Sequence, residues 1–191
     1  MNNEKEDSYL YTALFCEENI WQLADRLIQQ AVKPSDLSIL FISNPKQQVA
    51  IFQQKSAAIN EPAIWDYHVI LLRKDNTDFF IYDFDSRLGF KTSADDYLSL
   101  SFLDQNLIKE QYCSQIRIIS ANSYLQNFSS DRSHMKGVIT DDKFPAYPPI
   151  ESPSHNDRIT LQQCINFNQP LTNDDSLLSV QQLADRLLKE Q

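Results

Sequence analysis

Two strand-like runs, Ile64 to Leu72 and Phe79 to Asp85, flank the polar segment Arg73-Lys-Asp-Asn-Thr-Asp78. Apolar, aromatic and β-branched runs separated by turn formers predict an antiparallel hairpin, and a hairpin fixes its own register. Asp75-Asn76 as the two-residue turn, a position that tolerates positive φ, pairs Lys74 with Thr77 and, counting back, His68 with Asp83. Facing residues have Cβ atoms about 4.5 to 5.5 Å apart, within reach of an imidazole-carboxylate hydrogen bond. The same count sets Asp66 against Asp85, and strand alternation puts all four on one face. Trp65, Tyr67, Val69, Leu71, Phe80, Tyr82 and Phe84 fall on the other, which reads as a core face. Carboxylates opposite one another destabilise a sheet. The charged face is therefore either solvated or functional.

From Cys16 onward, Ile20, Leu23, Ala24, Leu27, Ile28 and Ala31 recur at helical spacing, with Glu17 and Glu18 in the first turn and Pro34 beyond the end. Cys16 thus stands at a helix N-terminus, where the dipole favours a thiolate. A small buried thiol with no chemistry is the plainer alternative. Leu37 to Ser43 reads as a buried strand with Val49 to Phe52 as its partner, and Gln115 to Ser120 as another strand. The stretch 86–112 is expected to contain a helix. Residues 141–157, with Pro145, Pro148, Pro149 and Pro153, predict an extended crossing loop. Ser179 and Gln182 have capping-box spacing before a C-terminal amphipathic helix.

Composition narrows the chemistry. Only two glycines, Gly89 and Gly137, occur among 191 residues, too few for a phosphate cradle. A net charge of -9 disfavours nucleic acid and anionic membranes. Neither an export signal nor a membrane-length apolar run is present, so a soluble, unexported chain is expected, in the cytoplasm or nucleus. Cys16, Cys113 and Cys164 suit neither a disulfide framework nor, with His68, His134 and His155, zinc-ligand spacing. Reduced thiols, with no metal and no cofactor, are expected. The length fits one domain, 1–191, with 1–10 as a loosely ordered tail.

Six blocks carry a resemblance in collinear order from about residue 11 to 150. They are Tyr11-Thr12, Cys16-Glu-Glu-Asn-Ile-Trp21, Phe41-Ile-Ser-Asn44, Ile64-Trp-Asp-Tyr-His-Val69, Phe80-Ile-Tyr-Asp83, and Asn122-Ser-Tyr-Leu through Ser130-Asp-Arg-Ser-His-Met-Lys136. Together they closely resemble the protein N-terminal glutamine amidohydrolase family. The resemblance implies an α+β, papain-like or transglutaminase-like fold, with a helix bearing the cysteine packed on an antiparallel sheet bearing His and Asp. It places the catalytic residues at Cys16, His68 and Asp83. It also implies a monomeric enzyme acting on N-terminal Gln of proteins or peptides within N-degron processing. Acceptors for the substrate's α-ammonium are sought among Asp66, Asp85, Glu17 and Glu18, with helix-dipole stabilisation the competing role for the two glutamates. Asp131 and His134 belong to a loop read as lining the pocket, against a purely structural role. The competing functions are a cysteine protease or transglutaminase-like deamidase, and a non-catalytic reader of N-termini.

Overall fold

In the computed structural model the described residues are 8–154, 157–171 and 177–190. The expected tail at 1–10 falls largely outside them, and Tyr9 already packs on the core. The strands are β1 (Leu37–Ser43), β2 (Val49–Ile51), β3 (Ala63–Trp65), β4 (His68–Asp75), β5 (Asp78–Tyr82), β6 (Lys91–Ser93), β7 (Gln115–Ser120), β8 (Phe128–Ser129), β9 (Ile159–Thr160) and β10 (Leu177–Ser179). The α-helices are α1 (Cys16–Gln29), α2 (Ala94–Ser101), α3 (Ala121–Asn127), α4 (Leu161–Cys164) and α5 (Val180–Glu190). Six strands form one sheet in the order β10-β7-β1-β4-β5-β6, with every neighbouring pair antiparallel. Helices packed on an antiparallel sheet make the fold α+β.

Strand alternation decides which helix each face meets. Leu37, Ile39, Phe41, Val69, Leu71, Tyr82 and Ile119 pack against Ile20, Leu23, Ala24 and Leu27 of α1 and Tyr124 of α3. Leu40, Ile42, Ile70, Leu72, Phe79, Ile81 and Ile116 pack against Tyr97 and Leu98 of α2 and Val180, Leu183 and Leu187 of α5. Both faces are therefore buried. The expected charged face does not extend along the hairpin, because positions 70 and 72 are apolar and α2 and α5 cover them.

The hairpin register also differs from expectation. Asp75 pairs with Asp78, and Leu71 faces Tyr82 where Phe80 was expected. The turn is Asn76-Thr77, of which only Asn76 is left-handed, at φ 58°. An asparagine tolerates that conformation, whereas β-branched Thr77 is spared it. The slip is two residues, so each side chain keeps its face. It does put His68 out of step with Asp83, and the ladder ends at Tyr82.

Two further expectations are corrected. The run from Ile64 to Leu72 is broken at Asp66 and Tyr67 into β3 and β4. The break sends Trp65 to the α2 and α5 side of the sheet, away from Tyr67. β2 pairs with β3 in a separate two-stranded sheet and not with β1, whose two edges are taken by β4 and β7. The capping box at α5 is present: Gln182 N–H donates to Ser179 Oγ at 3.1 Å, and Ser179 N–H to Gln182 Oε1 at 2.8 Å.

Candidate active site

The start of α1 is set by its approach. Leu14 is left-handed at φ 72°, and no side chain caps the helix at Phe15. Asn19, one turn into α1, reaches back with its amide: Nδ2 donates to the Thr12 carbonyl and Oδ1 accepts from Thr12 N–H, both at 2.8 Å. This clamp presents Cys16 as the first helical residue. From α3, Tyr124 Oη donates to the Glu17 carbonyl at 3.1 Å and ties α1 to the core.

His68 opens β4, and Asp83 follows the last residue of β5. The chain turns at once after Asp83, whose N–H bonds the Phe90 carbonyl. That turn, and not strand register, brings Asp83 Oδ1 to 3.0 Å from His68 Nε2. Asp83 is saturated with donors. Oδ1 also accepts from Asp85 N–H at 2.9 Å, and Oδ2 accepts from Gln54 Nε2 at 3.0 Å and Tyr97 Oη at 2.8 Å. Burial would push its pKa up, but His68 and these donors outweigh it and hold the carboxyl below its ordinary value. Burial likewise pulls His68 down, and the Asp83 charge and hydrogen bond reverse that, leaving it raised. An ionised Asp83 only accepts, so His68 Nε2 carries the proton between them. Trp65 stacks on the imidazole, with centroids 5.3 Å apart and planes within 14°. The other ring nitrogen, Nδ1, is buried without a hydrogen-bond partner.

Cys16, His68, Asp66, Asp85, His134, Leu14, Trp65, Tyr67 and Met135 line one cavity of about 100 Å³. Burial, then the charges of Glu17 and Asp85, raise the Cys16 thiol well above its usual range, and the Val69 backbone hydrogen bond opposes them. Glu17 is fully buried beneath this cavity. Its Oε2 accepts from Tyr67 Oη at 3.0 Å, and its Oε1 lies 3.6 Å from His134 Nε2 with no hydrogen bond. Burial lifts its pKa to about 7. Burial also lowers His134, which favours the neutral ring.

The remaining sequence candidates separate. Asp66 and Asp85 reach the cavity, although Asp66 lies in the β3–β4 break and does not face Asp85 across a ladder. Burial raises Asp85, whose Oδ1 accepts from Tyr11 Oη at 2.7 Å. Glu18 points away: its two oxygens take Arg132 Nε and Nη2 at 2.8 and 2.7 Å. Arg132 also donates to the Pro145 and Pro148 carbonyls, so this buried pair fastens the proline-rich loop to α1. Asp131 is exposed, absent from the cavity lining, and accepts from Ser133 N–H at 2.9 Å. Among the described residues, His68, Asp83 and Asp85 have potential metal-ligand atoms within 4.8 Å of one another, but Asp83 already spends both oxygens on four donors. Gln54, Tyr97, Trp65, Tyr67 and Tyr11 were missed from sequence. Their hydroxyl, amide and ring groups gain meaning only from neighbours distant in the chain.

Comparison with known proteins addresses the family of the whole chain. The profile of the N-terminal glutamine amidase family matches residues 11–186. The protein N-terminal glutamine amidohydrolase of Danio rerio is 40% identical over 148 residues, covering 75% of this chain and 73% of its own. The protein of the same name from Homo sapiens is 38% identical over 150 residues, covering 76% and 73%. That of Drosophila mojavensis is 33% identical over 151 residues, covering 74% and 72%. A match over nearly the whole chain, together with extended identity to three such relatives, means that this chain belongs to the N-terminal glutamine amidase family, a family of amidohydrolases.

Proposed function

We propose that this chain, as a single catalytic domain, hydrolyses the side-chain carboxamide of an N-terminal glutamine and releases ammonia and an N-terminal glutamate. Cys16, His68 and Asp83 are the reacting group, in a papain-like order. The observation that carries this reading is the division of the imidazole: Nε2 is bonded to Asp83, while Nδ1 is buried and unpaired, in a residue that lines the same cavity as Cys16. His68 then accepts the thiol proton at Nδ1 as Sγ attacks the carboxamide carbon, and returns it to the departing ammonia. The thioester left on Cys16 is hydrolysed by a water that the same nitrogen deprotonates. Asp83 holds the tautomer and stabilises the imidazolium without itself taking the proton. The Cys16 N–H, at an uncapped helix start, is the first donor for the tetrahedral oxyanion.

Specificity for a chain terminus comes from Asp66 and Asp85, the carboxylates in the cavity wall, as acceptors for the α-ammonium. Glu18 is committed to Arg132 and Asp131 lies elsewhere, so neither contributes. A cavity of about 100 Å³ favours a single side chain over the open cleft that a protease or transglutaminase needs for a second chain. The glutamate product is the form that arginylation in N-degron processing would extend. A peptide panel followed by mass spectrometry tests the assignment. Gln-initiated peptides should be converted efficiently, and acetyl-Gln, Asn-initiated and internal-Gln peptides poorly. Asparagine leaves its carboxamide short of Cys16, and a misplacement of about 1 Å can lower a rate roughly 100-fold. Comparable rates for internal and terminal Gln would replace this reading with a general protein deamidase.

A further inference from the structure

Cys16 has an unusual set of neighbours for a nucleophile that must become an anion. Its Sγ lies 3.8 Å from Glu17 Oε2, and Asp66 and Asp85 share its cavity. Among the described residues, no lysine or arginine lines that cavity. The groups facing the thiol come from every side. They are Glu17 from α1, Asp66 and Tyr67 from the break before β4, His68 from β4, Asp85 from the turn after β5, and His134 from the turn Ser133–Met135. Arg132 is engaged with Glu18, and Lys55 Nζ donates to the Phe84 carbonyl at 2.8 Å. Two buried polar atoms at the site have no hydrogen-bond partner, Glu17 Oε1 and His68 Nδ1. The described residues around the thiol thus bring carboxylates and no permanent cation, and His68 Nδ1 is a proton acceptor without a partner.

We propose that the substrate's α-ammonium is the missing counter-charge that switches Cys16 on: before it enters, the surrounding carboxylates keep the thiol protonated, and once it is seated, the Sγ proton passes to His68 Nδ1. This deepens the function proposed above and rests on it. The transfer conserves atoms and charge, converting a neutral thiol and imidazole into a thiolate and an imidazolium. Burial and the Glu17 and Asp85 charges, which raise the thiol, are the forces a cation at Asp66 and Asp85 opposes. Terminus recognition and nucleophile activation then become one event. An acetylated substrate loses the reaction as well as the binding, and the ligand-free thiol is guarded from adventitious electrophiles.

The test compares two pH profiles of ammonia release from one Gln-initiated peptide. The kcat/KM profile reports ionisations of the free enzyme and the kcat profile those of the complex. The rising limb of kcat should lie at lower pH than that of kcat/KM, by roughly one pH unit for a charge placed beside the thiol. Asp85→Asn should raise KM and also shift the kcat/KM limb to lower pH, which a carboxylate that only binds would not do. Independently of turnover, the pH midpoint for iodoacetamide alkylation of Cys16 in the ligand-free protein should fall in Asp85→Asn, read by mass spectrometry in a Cys113→Ser background. If Asp85→Asn does not fold, Asp66→Asn, at an exposed position, carries the same two measurements. Coincident limbs with normal ammonia release, or an unmoved alkylation midpoint, overturn this inference and leave the amidohydrolase reading intact. No ammonia from any Gln-initiated peptide at any pH sinks that reading instead, and this inference with it.

Discussion

The two sides of the site, behind the cavity lining, hold buried carboxyl groups in opposite electrical states. On one, Asp83 accepts four hydrogen bonds from His68, Asp85 N–H, Gln54 and Tyr97, and its pKa falls. On the other, Glu17 is just as buried, its Oε2 accepts from Tyr67 Oη and from the Cys16 thiol while Oε1 has no hydrogen-bond partner, and burial lifts its pKa to about 7. Burial raises both; at Asp83 the His68 charge and the hydrogen bonds outweigh it, and at Glu17 the hydrogen bonds do not. The Asp83 side is pre-organised to keep a fixed charge beside the imidazole. On the Glu17 side burial prevails, and that side contacts the thiol of Cys16, the proposed nucleophile.

Removing the proposed nucleophile has the largest expected effect. Cys16→Ala should lower ammonia release by on the order of 10⁴-fold or more while circular dichroism stays native, since no other group forms the thioester. A folded variant that retained activity would move the chemistry off this side altogether. Asp83→Asn attacks the saturated side. It should reduce kcat by about 10⁴-fold through the wrong imidazole tautomer, with KM for a Gln-initiated peptide little changed. The depressed Asp83 pKa also contributes stability above the ordinary carboxylate range, which is lost as pH falls through the folded value. An acid denaturation curve should therefore be flatter in Asp83→Asn than in the parent. An equal loss from Glu17→Gln would erase the contrast between the two sides.

Arg132→Gln leaves Glu18 buried without its cation and should lower unfolding stability by about 3 to 5 kcal/mol in urea titration. Tyr97→Phe removes one of four donors from Asp83 and should cost about 1 to 3 kcal/mol. The effect of Glu17→Gln is conditional on pH and appears as a slope. A carboxyl raised from 4.5 to about 7 stabilises the fold fully below its unfolded pKa, and that contribution is lost as pH rises through 7. The parent should lose on the order of 2 to 3 kcal/mol relative to Glu17→Gln between pH of about 4.5 and just above 7. Parallel stability curves for the two proteins would mean that Tyr67 keeps Glu17 ionised throughout.

Local signals gave several elements to the residue. Leu37–Ser43 and Gln115–Ser120 are strands, α1 begins at Cys16, and the Ser179 and Gln182 pair caps α5. Each depends on neighbours within a turn or on alternation along one strand. What depended on partners was not legible. The pairing of β2 with β3, the break at Asp66 and the two-residue slip of the hairpin were all set by which surfaces α2 and α5 cover and by the one left-handed residue the turn needed. His68 and Asp83 were rightly joined by an argument whose register was wrong. A slip of two preserves face, and the turn after Asp83 restores the contact that the ladder does not make.

By itself, then, the sequence determined the residue types and most of the faces on which they lie: a thiol opening a helix, and an imidazole and a carboxylate on one face of neighbouring strands. Periodicity is a local property, and it survives uncertainty about partners. Tertiary structure alone decided which of Asp66, Asp85, Glu17, Glu18 and Asp131 would stand near the thiol, and which would be tied to Arg132 or to a surface turn. The physical reason is that a carboxylate's role is fixed by the donors and charges within a few ångströms of it, and here those come from segments as far apart as Tyr11 and Asp85, or Glu18 and Arg132.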